Sequence, residues 1–105
     1  MKRPERLTPD ELTELLRYNP QTGNLIWKKT VSRWNKRGQV AGNSNNSRGE
    51  LEIKLKGKWY KAHHIAWFFI TGLWPTSPIS HKNNDHSDNR KDNLYERFSV
   101  IQKRK

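Results

Sequence analysis

Between Pro78 and Leu94 the chain reads Pro-Ile-Ser-His-Lys-Asn-Asn-Asp-His-Ser-Asp-Asn-Arg-Lys-Asp-Asn-Leu: two histidines, three aspartates and four asparagines between short apolar anchors. That is more base and acceptor chemistry than a connection between elements needs. An imidazole titrates near neutrality and takes a proton when a neighbouring acceptor orients it. Carboxylates and amide oxygens in the same stretch suit a hard cation. The plain alternative is a turn-rich polar insert, in which Asp88 and Asn89 do no more than cap the turn before Asn93.

Such a loop works only if other elements hold it still. The sequence has 105 residues, of which 31% are hydrophobic, with a mean hydropathy of −1.14. A single domain with a small core follows, and five tryptophans supply apolar area. The apolar residues fall in periodic clusters separated by turn residues, unlike a disordered chain. A net charge of +11 and a pI near 10.3 point first to a polyanion, although ribosomal proteins, membrane-surface peptides and heparin binders share that property. There is no cysteine, which excludes disulfides and thiolate zinc sites. No apolar run reaches membrane-spanning length, and Met1-Lys2-Arg3-Pro4 leads into polar sequence, so the expectation is a cytoplasmic protein without a membrane partner.

In chain order, residues 1–6 read as a basic tail. Thr8-Pro9-Asp10-Glu11 is a helix start with a capping box, and Leu12, Leu15 and Leu16 carry an amphipathic helix to about Tyr18. Asn19-Pro20 stops it, Thr22-Gly23-Asn24 turns, and Leu25-Ile26-Trp27 reads as a strand. Lys28 to Arg37 is basic and aperiodic around Trp34, a residue that either stacks on a base or plugs the core. After a polar loop from Asn43 to Gly49, Leu51 to Ala62 alternates as a β-hairpin turning at Gly57, with Leu51, Ile53 and Leu55 inward. His63 to Ile70 is apolar enough for a buried helix closed by Gly72, and Trp74-Pro75 ends it.

The loop resembles the ββα-metal core of the HNH endonucleases, phage and homing-type members above all. The residues that carry the likeness are a strand ending in His81, then Ser87-Asp88-Asn89-Arg90, then Asn93-Leu94. Upstream, Tyr60-Lys61-Ala62-His63-His64-Ile65-Ala66-Trp67 with Thr71-Gly72 and Trp74-Pro75 is similar to the segment preceding that core. Tyr18-Asn19-Pro20-Gln21-Thr22-Gly23-Asn24-Leu25-Ile26-Trp27 resembles the family's N-terminal signature. The likeness implies an α+β fold: small antiparallel sheet, helices, and a C-terminal ββα-metal element, in a single domain over 1–105. Residues 1–62 would be its DNA-binding part and 63–105 its HNH core.

It also implies metal-dependent cleavage or nicking of double-stranded DNA. His81 would be the general base and Asn93 the group that orients the loop. The metal, Mg²⁺ or Mn²⁺, would sit at the positions held here by Ser80 and Gln102, with Asp85 or Asp88 swinging in. A serine hydroxyl is neutral and glutamine carries its amide one methylene further out, so both positions depart from the family pattern. No structural zinc is expected. Arg33, Trp34, Lys36, Arg37, Lys61, His63, Lys82, Arg90, Arg97 and Lys103 are the expected nucleic-acid contacts, with His63 first of all a packed histidine. Ser99 to Lys105 is the expected start of the closing helix, and a monomer or weak dimer the expected assembly. The alternative function is a catalytically impaired nucleic-acid-binding or regulatory protein on the same scaffold.

Overall fold

The computed structural model describes residues 7–44 and 49–97. The basic tail 1–6, part of the polar loop at 45–48 and the expected closing helix at 99–105 lie outside the described residues.

Helix α1 covers Pro9–Leu15, and its capping box is complete. The Glu11 amide donates to Thr8 Oγ1 at 3.2 Å and the Thr8 amide to Glu11 Oε1 at 2.9 Å. The helix was expected to run to Tyr18. It stops at Leu15, and Leu16–Tyr18 is strand β1, paired antiparallel with β2 at Leu25–Trp27. Pairing explains the early stop. Opposite each other in the ladder, Leu16 and Trp27 are both buried, and a cross-strand contact of that size outweighs the modest helix preference of the stretch.

Strands β3 (Asn43–Ser44), β4 (Leu51–Leu55) and β5 (Lys58–Lys61) form a second antiparallel sheet in that order. Lys56 and Gly57 both have positive φ, 49° and 85°, the primed turn that matches strand twist in a two-residue hairpin. As the alternation predicts, Ile53 and Leu55 are buried and Lys54 is exposed. The hairpin runs straight into helix α2, Ala62–Thr71, which buries Ala62, His63, Ile65, Ala66 and Phe68. Gly72 closes it at φ 85°, its amide donating to Phe68 O at 2.7 Å.

A third antiparallel pair follows: β6 (Ile79–His81) beside β7 (Leu94–Glu96), joined through a short 3₁₀ turn at Lys91–Asn93. The expectation of one small sheet is thus corrected to three small ones among the described residues. The fold is α+β, with two α-helices and small antiparallel sheets among the described residues.

The core also differs from expectation. Of the five tryptophans only Trp27 is buried; Trp34 and Trp59 are 77% and 53% exposed. Aliphatic residues do most of the filling: Leu12, Leu16, Leu25, Ile53, Leu55 and Ile65. A smaller cluster of Ala66, Ile79 and Leu94 seats the β6–β7 pair on α2, with Tyr18 packed against both clusters. No helix among the described residues is long and apolar enough to cross a membrane.

Candidate active site

His81 ends β6 with 4% of its surface exposed. Its Nε2 lies 2.8 Å from Asn89 Oδ1. An amide oxygen only accepts, so Nε2 bears the proton and Nδ1 keeps the lone pair of a base. The edges of two further rings flank it, His63 at 5.0 Å and His86 at 5.3 Å between centroids. Burial, reinforced by the neighbouring His64 and His81, pulls the pKa of His63 down to about 3. His63 is therefore neutral near pH 7 and places no positive charge beside His81.

Asn93 holds the intervening loop from inside. Its Oδ1 accepts from the Asn83 amide at 3.1 Å, and its Nδ2 donates to Asn83 Oδ1 at 3.0 Å and to Asp88 O at 2.7 Å. Asn83 Nδ2 in turn donates to Asp88 Oδ2 at 2.8 Å. The Arg90 guanidinium closes on both Asp88 oxygens at 2.8 and 2.9 Å, and this contact holds the Asp88 carboxyl at about 2. Asn84 takes φ 62°, a left-handed conformation that asparagine accepts more readily than most residues.

The N-terminal turn grips the same loop from outside. Tyr18 donates its hydroxyl to Asn89 O at 2.6 Å, and the Lys91 amide donates to Pro20 O at 3.1 Å. Burial, with Asp88 and Asp92 nearby, pushes the Tyr18 phenol up to about 12, so it stays a donor. Gly23, at φ 81°, lies so close that a Cβ there would meet Arg90 N at 2.4 Å and Asn89 C at 2.5 Å. Three residues of the Tyr18–Trp27 motif thus bear on the backbone of Asn89 to Lys91, the segment that carries the residue holding His81. Asn89, 2% exposed, is the site residue that sequence reading reduced to a turn cap.

His81 lines a cavity of about 470 Å³ with Ser80, Asn84, His86, Tyr95, Arg97 and, from the edge of β4, Glu50. The largely buried Glu50 carboxylate takes the Lys61 ammonium at 3.2 Å and lies 4.0 Å from His86 Nδ1. Arg97 Nη1 donates to Ser80 Oγ at 3.4 Å. Neither Glu50 nor His86 was singled out from sequence, because one lies beyond the motif and the other looks like a solvated loop histidine.

The expected contacts divide. Asp85 does not line the cavity; its Oδ1 accepts from the Ser87 amide at 3.0 Å and hydroxyl at 2.7 Å, which lowers its pKa. Lys61 lies between Glu50 and Glu52, at 3.2 and 3.5 Å, and Arg90 is spent on Asp88, so neither offers an uncompensated charge. His63 is buried, in line with a packed histidine. Lys82 is exposed, with its amide donating to Asn93 O at 2.8 Å. Arg33, Lys36 and Arg37 stand away from the cavity around Trp34, whose exposure settles the choice between surface and core; the Arg33 guanidinium lies 5.7 Å from its ring centroid. Gln102 and Lys103 lie outside the described residues.

A divalent ion finds a poor donor set here. No group of three or more acidic, histidine or cysteine side chains arranged to hold a metal exists among the described residues. Position 80 offers a neutral hydroxyl that already faces a guanidinium, and the cavity's one carboxylate is paired with Lys61. These residues do not fit the two-point metal site of the resemblance.

Residues 60–97, from within β5 to just past β7, match the family model described as HNH endonuclease, so this segment is similar to that family. The members of that family are nucleases that generally use divalent metals. No curated protein and no solved structure matched the chain.

Proposed function

We propose that the chain is an endonuclease or nickase that hydrolyses phosphodiester bonds of double-stranded DNA, with His81 as general base. The observation that carries this reading is the Asn89 contact, which fixes Nε2 as the protonated nitrogen and leaves Nδ1 basic on a side chain lining a polar cavity. Asn93 is the orienting group: by tying Asn83 to Asp88 it keeps the loop from relaxing away from His81. The β6–β7 pair supplies the strands of the ββα element. Duplex affinity comes from the overall charge of +11 and from the exposed Arg33, Trp34, Lys36 and Arg37, with a steep salt dependence.

The family's usual Mg²⁺ or Mn²⁺ has no built site among the described residues, so the roles assigned here rest on protein groups alone. The same departure favours the second reading, a DNA-binding or regulatory protein that has lost cleavage. Nicking of supercoiled plasmid, with Mg²⁺, with Mn²⁺ and in chelator, separates the two when His81→Ala is run in parallel. Nicking that vanishes in His81→Ala while duplex affinity holds establishes the nuclease. Equal nicking by both proteins would sink it, and duplex binding without cleavage under any condition selects the second reading.

A further inference from the structure

We propose that Arg97 takes the charge-compensating place of a divalent ion in this cavity: its guanidinium, with Ser80, forms a phosphodiester-binding subsite that works without metal. The proposal rests on the functional reading above only for the identity of the ligand, a phosphodiester of nucleic acid.

Three observations converge. The first is position. Arg97 Nη1 donates to Ser80 Oγ at 3.4 Å, the hydroxyl of the residue immediately before His81, so the guanidinium stands where an acidic side chain would have to hold a cation. The second is anchoring. The Arg97 amide donates to Pro78 O at 2.8 Å, just past β7, and this fixes the backbone of residue 97 beside the start of β6. The third is the charge of the cavity. Its carboxylate among the described residues, Glu50, takes the Lys61 ammonium at 3.2 Å, which Glu52 shares at 3.5 Å, whereas Arg97 forms no ion pair with a described residue and keeps its charge for a ligand.

A divalent cation entering such a space meets like charge, whereas a phosphodiester meets a planar fork of N–H donors suited to its oxygens. His81 and His86 line the same cavity, so a phosphate held by Arg97 shares that space with the His81 imidazole. Guanidinium groups stabilise charge on transferring phosphoryl groups in the same way as metal ions. The alternative function, binding without cleavage, would use the same subsite.

The test is NMR of the histidine side-chain nitrogens in the full chain, with two probes. Dimethyl phosphate, titrated in chelator, should shift the His81 and His86 signals along a saturating curve. Arg97→Ala should weaken that binding at least tenfold, and Arg97→Lys, which keeps the charge but not the fork, should fall between. In a separate titration, equimolar Mn²⁺ should leave His81 and His86 unbroadened in the unaltered chain and broaden them in the Ser80→Asp/Arg97→Ala double variant. Preferential broadening in the unaltered chain, or phosphate shifts indifferent to Arg97→Ala, overturns the proposal. His81-dependent plasmid nicking together with phosphate binding that ignores Arg97 would leave the nuclease reading standing and remove this one. Arg97-dependent phosphate binding without plasmid nicking would do the reverse.

Discussion

Two aperiodic polar stretches, Lys28 to Arg37 and Lys82 to Asn93, look alike in composition and behave in opposite ways. In the second, the side chains turn on one another: Asn93, Asn83, Asp88 and Arg90 form one hydrogen-bonded set, and Asn89 is buried against His81. In the first, side chains serve mainly to shape the backbone and leave the charges outside. Ser32 Oγ accepts from the amides of Trp34 and Asn35 at 3.2 and 3.1 Å, and Thr30 Oγ1 from the Arg37 amide at 3.0 Å. Both are ordered by short-range bonds, so order alone does not mark a site. What sets the His81 loop apart is where a distant element meets it: the Tyr18 turn reaches Asn89 in its interior, whereas α1 meets the first stretch at its start, through Lys28 and Lys29.

That contrast breaks most visibly at Asn89. Replacing it with alanine leaves the His81 Nε2–H without its acceptor and the ring free to turn, and small misplacements of a reacting group cost about 10²-fold in rate. Asn89→Ala is expected to lose that much nicking while binding duplex DNA almost as before, measured by initial rates beside a gel-shift titration. Next comes Gly23→Ala, which combines a positive φ with a Cβ 2.4 Å from Arg90 N. A loss of about 1–3 kcal/mol in urea unfolding is expected, with reduced nicking from the fraction that remains folded.

The buried histidine offers a pH test. An unfolded His63 takes a proton below its ordinary value of 6.5, whereas the folded one resists protonation down to about 3. Stability therefore falls as pH drops through that window. Urea midpoints should decline between pH 7 and pH 5, before most carboxylates titrate, and His63→Leu should flatten that decline. The smallest effect belongs to the outward stretch. Trp34→Ala should change stability by less than about 0.5 kcal/mol and weaken duplex binding about fivefold, the low end of what a stacked ring contributes. A large stability loss there would show that the two stretches are less different than their geometry indicates.

Much of this was legible in the sequence, for local reasons. The capping box at Thr8 and Glu11, the alternation Leu51-Ile53-Leu55 and the Gly72 stop each state a rule within a few residues, and the structure follows them. His81 and Asn93 stood out because the motif that contains them is short and dense. What escaped depends on chain segments far apart. Asn89 is an Asx residue in a turn, where local capping is the usual use; only the closing of β6 on β7 brings it to His81. Glu50 joins the site from a hairpin that carries no motif of its own. Lys61 looked like a phosphate contact because a lysine in sequence does not reveal its two carboxylate neighbours. The end of α1 and the mainly aliphatic core were missed for a related reason: pairing and packing between segments overrode what propensity and tryptophan content suggested.

The Tyr18 to Asn89 hydrogen bond spans 71 residues. Contacts of such separation carry a high closure cost and form late, after helices and hairpins have already gained most of their local structure. The histidine loop would then be finished only in the last stage of folding, when the N-terminal turn docks. A chain stalled just short of that point would show its full helix and strand signal and have an unsupported base.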